Sequence, residues 1–233
     1  MTLRVYIGYD PREAGAYCVA VSSLRRRASG DVMITPLVLD RLRAQGLLTR
    51  PVDARGQMYD VHSQAPQATE FAVSRFLVPL LAQTGPALFI DCDMLFQADV
   101  AELFALYDPR YAVQVVQHEH RPQRQTKMDG AAQTLYRRKN WSSVMLWNCD
   151  HPGNRRLSLW DINHRPGRDL HALYWLADAE IGALPPAWNW LVGDQAKPVD
   201  VKLAHYTNGG PWFPNWVPSF HDDLWLEESR RGD

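Results

Sequence analysis

The sequence predicts an α/β layer fold with a largely parallel sheet flanked by helices. Three observations predict it: short apolar runs alternate with helical segments, one of those runs is apolar throughout, and two aspartates stop that run abruptly. The chain has 233 residues, 25 Lys+Arg against 26 Asp+Glu, a formal net charge of −1 and 46% hydrophobic residues, the balance of an average globular protein. A single domain over 1–233 is expected. A chain of this size can bury roughly 70–75% of its extended surface without metal or disulfide staples.

Taken in order, Leu3 to Gly8 is an apolar, β-branched strand run that ends in Tyr9. Asp10-Pro11-Arg12-Glu13 then starts a helix, with Asp10 at the N-cap, Pro11 in the first turn and Glu13 where a capping box places its carboxylate. Val32 to Leu39 predicts a second strand, and the segment 49–65, carrying Pro51 and Gly56, reads as a loop. Phe71, Phe76, Leu77, Leu80 and Leu81 recur at helical spacing, so a helix is expected over 69–82, ended by Gly85-Pro86. Ala87-Leu88-Phe89-Ile90 predicts a strand buried on both faces. A helix at 99–107 and strands at 111–116 and 143–147 complete the alternation. Seven of the nine Trp lie at or beyond Trp160 among several prolines, which predicts a loop-rich aromatic region that covers a substrate. Residues 1–110 and 111–233, the second carrying the aromatic loops, are read as the two halves of this one domain.

The charge balance excludes a sequence-independent nucleic-acid binder, which needs clustered Lys and Arg to release counterions. Arg25-Arg26-Arg27 is read as the solvated end of a helix. Cys18, Cys92 and Cys149 form no CxxC, so neither a disulfide framework nor a zinc ribbon is supported, and a reducing compartment fits. The apolar stretches, such as Phe76 to Ala82, are far shorter than the ~20 residues a bilayer span needs. A cytoplasmic protein is expected, with peripheral membrane association left open.

Asp91-Cys92-Asp93 carries the chemistry. Side chains alternate along an extended chain, so two aspartates one residue apart project to one side. At the carboxyl end of a buried strand, where open α/β sheets bind ligands, such a pair can hold Mg²⁺ or Mn²⁺ through oxygen. The ion would take further oxygens from a ligand diphosphate and neutralise charge on it as it leaves. The structural alternative needs cationic partners close by, because buried unpaired carboxylates are costly.

Four blocks, spread from Val5 to Trp212, resemble the retaining glycosyltransferases of family 8, which have the GT-A fold. They are Val5-Tyr6-Ile7-Gly8-Tyr9-Asp10, Ser74-Arg75-Phe76-Leu77-Val78-Pro79, Leu88-Phe89-Ile90-Asp91-Cys92-Asp93, and Leu203-Ala204-His205-Tyr206-Thr207-Asn208-Gly209-Gly210-Pro211-Trp212. The resemblance implies that Ile7, Gly8, Tyr9 and Asp10 lie against the uracil and ribose of a UDP-sugar; for Asp10 the alternative is a plain helix cap. It implies that Arg75 lies near the sugar and phosphates, the bland reading being an ion pair with Asp91 or Asp93. It further implies that Asp91, Asp93 and His205 hold Mn²⁺ or Mg²⁺, with Cys92 between them, and that Gly209, Gly210 and Trp212 meet the diphosphate. A neutral imidazole suits manganese, and a Gly-Gly turn lets backbone N–H groups approach phosphate oxygens.

Two departures stand out. The family's Lys before Pro-Trp is replaced by Gly210, in a turn one residue shorter, so another cation must serve the diphosphate, and Arg75 is the candidate. The family's Asp-Gln-Asp segment has its best local counterpart in Asp169-Leu170-His171, and its Asn-Ser/Ala-Gly strand in Trp141-Ser142-Ser143-Val144. Asp169, His171 and Arg75 are accordingly the candidate catalytic residues.

The expected function is metal-dependent, retaining transfer of a sugar from a nucleotide donor, UDP-linked by resemblance, to a hydroxyl of a glycan, lipid-linked or small-molecule acceptor. One rival is a haloacid-dehalogenase-like phosphohydrolase, whose first Asp attacks phosphorus; such enzymes place the pair at the first strand with Thr or Val two residues after it, where this chain has Leu95. The other is a carbohydrate-binding protein that uses the C-terminal aromatics. His118-Glu119-His120 has ligand-like alternation, Asn140-Trp141-Ser142 fits a glycosylation sequon, and Asp222-Asp223 read as solvated tail charges.

Overall fold

In the computed structural model, residues 2–54, 58–119, 138–219 and 221–231 are described, with side chains at all of them but 52–54. β1 (Leu3–Gly8) leads through a 3-10 turn at Pro11–Glu13 into α1 (Ala14–Arg27), followed by β2 (Val32–Leu37) and α2 (Leu39–Ala44). Asp10 caps the turn, accepting from the Arg12 amide at 2.9 Å. Glu13 is buried, with the Cys92 thiol 4.0 Å from its Oε2.

The stretch read as a loop holds a small antiparallel sheet of β3 (Val52–Ala54), β4 (Met58–Asp60) and β5 (Ala65–Pro66). Strands this short show no alternation to read. A buried Arg50–Asp60 ion pair anchors the segment, and Arg50 also donates to the carbonyls of Ile162 and Arg165 at 2.9 and 2.8 Å.

The helix expected over 69–82 forms only in its second half, as a 3-10 turn at Ser74–Leu77 followed by α3 (Val78–Ala82). Pro79 is the reason: it has no N–H to donate, so it stands only in the first turn of an α-helix.

β6 (Pro86–Ile90) and β7 (Met94–Phe96) flank the acidic triplet. α4 (Val100–Phe104), capped by Asp99, precedes β8 (Val113–Val115) and β9 (Val144–Asn148). Then follow α5 (Leu159–His164), α6 (Gly167–His171), β10 (Ile181–Ala183), β11 (Trp190–Leu191), β12 (Leu203–His205) and α7 (Asp222–Arg231).

The main sheet has the order β10-β8-β9-β6-β1-β2. β1 runs parallel to β2 and β6, and β8 parallel to β10; β9 alone is antiparallel to its neighbours. Leu88, Phe89 and Ile90 are fully buried, as a strand covered on both faces requires. A second sheet, β11-β12-β7, stands beside it, with a smaller core of Val19, Leu95, Trp190, Tyr206 and Trp225.

Two surface readings are corrected. Arg26 and Arg27 are not simply solvated: both lie 3.0 Å from the buried carboxylate of Glu228, which clamps α7 against α1. Asp222 is buried rather than a tail charge, because residues 216–219 fold back on it: Trp216 Nε1 donates to it at 2.7 Å and Ser219 Oγ at 2.8 Å. Among the described residues, no helix is long and apolar enough to cross a membrane.

Candidate metal centre

Asp91 follows the last residue of β6, at the carboxyl end of a strand parallel to β1, and Asp93 immediately precedes β7. The triplet is a bend between two sheets, so the convergence does not come from extended alternation. It comes from the β7–β12 ladder, in which His205 pairs with Met94 and the Tyr206 amide donates to the Asp93 carbonyl at 2.9 Å. Antiparallel pairing thereby delivers an imidazole from more than a hundred residues downstream to the two carboxylates. One ligand atom from each of Asp91, Asp93 and His205 lies within 4.8 Å of the others. His205 Nε2 is 3.4 Å from Asp93 Oδ1 and 3.9 Å from Asp91 Oδ2.

A residue the sequence reading missed sets the state of His205. Asn189 is fully buried and its Nδ2 donates to Ser143 Oγ at 3.0 Å and to the Asn140 carbonyl at 3.4 Å. A carbonyl can only accept, so the amide nitrogen must face Asn140 and Oδ1 must face His205 Nδ1, 2.9 Å away. Nδ1 donates its proton to Asn189, which turns Nε2 toward the carboxylates. Two carboxylates and an imidazole nitrogen at the wall of a cavity are a donor set that fits Mn²⁺ or Mg²⁺.

That cavity has a volume of about 300 Å³, with Asp91, Asp93, His205, Arg75, His171 and Gly209 among its lining residues. Arg75 is buried and bridges the site: Nη1 lies 2.8 Å from Asp91 Oδ1 and donates to the Ser142 carbonyl at 2.7 Å, while Nε donates to Ala72 at 3.0 Å. Arg75 thus makes the ion pair with Asp91 and also lines the cavity. His171 lines the wall with Nδ1 2.7 Å from Ser142 Oγ. Burial, then the Arg75 and Arg50 guanidinium groups, push its pKa well below the usual histidine range, so the ring is neutral.

Other expected residues sit elsewhere. Ile7 is core, and Tyr9 packs edge-on to Tyr17 at 5.2 Å. The Gly8 backbone is covered by Phe71, whose ring atoms would lie 2.3 Å from a Cβ there, and it is Phe71 that faces the cavity. Asp10 is a cap: burial opposes its charge, but hydrogen bonds from the Arg12 side chain and amide and from the Glu70 amide prevail and lower its pKa. The Cys92 thiol is fully buried beside Glu13, and burial drives its pKa well up. Asp169 does not line the cavity and lies 3.7 Å from Arg168 Nε.

Gly209, with φ +101°, lines the cavity, whereas Trp212 turns inward against Tyr206, Phe213 and Trp225. Of the other C-terminal aromatics, Trp175, Trp188, Trp190 and Trp225 are buried, and Trp160 is 61% exposed, stacked on His164. His120 lies outside the described residues, and His118 Nδ1 faces Gln195 Nε2 at 3.1 Å. Among the described residues, no second cluster of three such ligands converges. Asn140, of the sequon, lines the cavity.

No protein-family model matches the chain. It is 46% identical over 231 residues to Protein CDI of Arabidopsis thaliana, covering 97% of this chain and 85% of that one. The glycosyltransferase GlyE of Streptococcus pneumoniae TIGR4 superposes with a TM-score of 0.61 at 14% identity, over 98% of this chain and 60% of GlyE. The chain thus spans about 60% of the length of GlyE. The galactosyltransferase LgtC, solved with donor and acceptor sugar analogs, superposes with a TM-score of 0.58 at 14% identity, over 98% of this chain and 96% of LgtC. The shared feature is the fold, GT-A.

Proposed function

The chain belongs to the family of Protein CDI, and from that premise, its GT-A fold and the Asp91, Asp93 and His205 cluster we propose a metal-dependent glycosyltransferase. The observation that carries this is Nε2 of His205 meeting two carboxylates at the end of a parallel strand, in a cavity with room for a ligand. The donor is read as a UDP-sugar and the acceptor as a hydroxyl of a glycan, lipid-linked or small molecule; retention at the anomeric centre is carried over from the resemblance to family 8.

Asp91 Oδ2, Asp93 and His205 Nε2 would hold Mn²⁺ or Mg²⁺, which when bound supplies a Lewis acid for the departing diphosphate. The protein's own groups do the rest. Arg75 restrains Asp91 through Oδ1 and leaves Oδ2 turned toward His205. Asn189 accepts from Nδ1 of His205 and so holds the ring with Nε2 toward the two aspartates. His171, neutral and anchored on Ser142, offers an uncharged hydrogen-bonding ring to a sugar hydroxyl at the cavity wall. Asp169 is not among the residues that line the cavity.

A thermal-shift panel of nucleotide-sugars with and without Mn²⁺ tests this, since a ligand of the native state alone raises the midpoint. UDP-sugars should raise it only with the metal present. Hydrolysis of a generic aryl phosphate, with no response to any sugar nucleotide, would favour the phosphohydrolase and end the reading.

A further inference from the structure

We propose that the indole of Trp160 is a stacking platform for a sugar ring of an oligosaccharide acceptor, outside the cavity. This rests on the glycosyltransferase reading above and names the acceptor class for it.

Of the nine tryptophans, all among the described residues, Trp160 alone is exposed, at 61%. Its ring is nonetheless fixed. Residues four apart share one face of a helix, and His164 stacks on Trp160 from the other end of α5, with ring centres 4.7 Å apart and planes 11° from parallel. His164 Nδ1 donates to the Trp160 carbonyl at 2.8 Å, and the His62 ring lies 5.3 Å from that of His164. The imidazole takes one face of the indole and leaves the rest to solvent. A ring already held in one orientation loses little freedom when a ligand covers it.

α5 has six residues, too few to be a stable helix alone, so the frame beneath must hold it. Ser158 and Asp161 form a capping box at its start. Asn163 is buried, donates to the Leu47 carbonyl at 3.2 Å and accepts from the Thr49 amide at 2.6 Å. Arg50 takes the carbonyls of Ile162 and Arg165 and pairs with Asp60. Asp60 accepts from the Ser63 amide at 3.1 Å, and Ser63 Oγ accepts from the Gly167 amide at 2.7 Å. Asp60, Ser63 and Gly167 line the cavity, whereas Trp160 does not. Platform and cavity wall are thus parts of one hydrogen-bonded block, joined through Arg50.

Chemistry decides what covers the indole. Its π face is electron-rich, and the C–H bonds on one face of a pyranose offer the complementary positive surface. His62, His164 and the Arg165–Asp161 ion pair beside it are hydrogen-bonding groups, which suit the hydroxyl rim of a sugar. A ligand whose reacting hydroxyl enters the cavity and whose other end meets Trp160 must be extended, so a chain of sugars fits and a monosaccharide does not.

The test is titration of maltotriose, cellotriose, xylotriose, galactotriose and mannotriose, each beside its monosaccharide, into wild type, Trp160→Ala and Trp160→Tyr with Mn²⁺ and UDP present. Calorimetry gives the affinities, and the indole N–H resonance of Trp160, identified by its absence from the variants, reports contact. A trisaccharide should shift that resonance and bind Trp160→Ala about tenfold more weakly, with Trp160→Tyr recovering part of the loss. Both variants should match wild type in melting temperature and in Mn²⁺ and UDP binding. Equal trisaccharide affinity in Trp160→Ala, or no trisaccharide bound by a wild type that takes Mn²⁺ and UDP, would overturn the platform and leave the glycosyltransferase reading intact. Binding to phosphatidylcholine vesicles that Trp160→Ala loses, with no response to sugars, would also overturn it, in favour of a lipid surface. A trisaccharide held through Trp160 by a wild type that takes neither Mn²⁺ nor UDP would uphold a sugar site here and overturn the glycosyltransferase reading.

Discussion

Asp91 divides its carboxylate between two partners: Oδ1 lies 2.8 Å from Arg75 Nη1, and Oδ2 lies 3.9 Å from His205 Nε2. The two aspartates of the triplet therefore have different duties. Asp91→Asn strips the counter-charge from a buried guanidinium and should cost about 3–5 kcal/mol. Asp93→Asn leaves that pair intact, so its melting temperature should stay near wild type while Mn²⁺ binding is lost. Thermal melts beside Mn²⁺ titration separate the two, and equal melting temperatures would refute the division.

Asn189 would act on a bound metal through His205. Replacement by Leu removes the acceptor for the Nδ1 proton and frees the ring to turn or change tautomer. Mn²⁺ affinity should fall roughly 10–100-fold, the usual consequence of losing such a support. Retained Mn²⁺ affinity in a folded Asn189→Leu variant, measured by calorimetry, would show that the ring is held by packing instead.

Gly210 leaves space for an indole. A Cβ there would stand 2.2 Å from Cζ3 of Trp212, a ring wedged among Tyr206, Phe213 and Trp225. Gly210→Ala should destabilise by about 1–3 kcal/mol through overpacking. At roughly 2–4 °C per kcal/mol for a chain of this size, the loss is visible in a melt, and adding Trp212→Ala should remove the Gly210→Ala increment.

His171 makes stability depend on pH. Its folded-state pKa is held well below 6.5 by burial and two arginines, so between that value and 6.5 the unfolded chain binds a proton that the folded chain does not. Stability rises with pH where the unfolded state holds more protons, so this contribution is complete above about 6.5 and declines as pH falls below it. Urea unfolding at several pH values between 5 and 7 should show a shallower acid-side decline in His171→Gln than in wild type. Parallel slopes would contradict the assignment.

What could be read from the sequence depended on whether a residue announces its role locally. Ala87–Ile90 could be read because an apolar run that ends in two acids leaves few alternatives, and His205 because its Gly-Gly-Pro-Trp context is specific. β3, β4 and β5 could not, since strands of two or three residues have no period. Asn189 carries no local signal: an amide in a loop meets His205 only once the 140–143 turn and β12 lie side by side. Trp212 and Asp222 misled for the opposite reason. Each has a residue type suited to ligand or solvent, and each is drawn inward by neighbours, Trp212 by the aromatics around it and Asp222 by Trp216 and Ser219.

The acidic bend joins β6 of the large sheet to β7 of the small one, and His205 arrives on the small sheet. A captured ion would therefore add a rivet between two layers already joined by packing and by the hydrogen bonds of Asn189 to Ser143 and Asn140. Whatever energy the ion releases on arrival also resists their separation. Chelator should loosen this seam before the rest of the molecule, and amide hydrogens of 94–96 and 203–205 should exchange faster in its presence than those of β1.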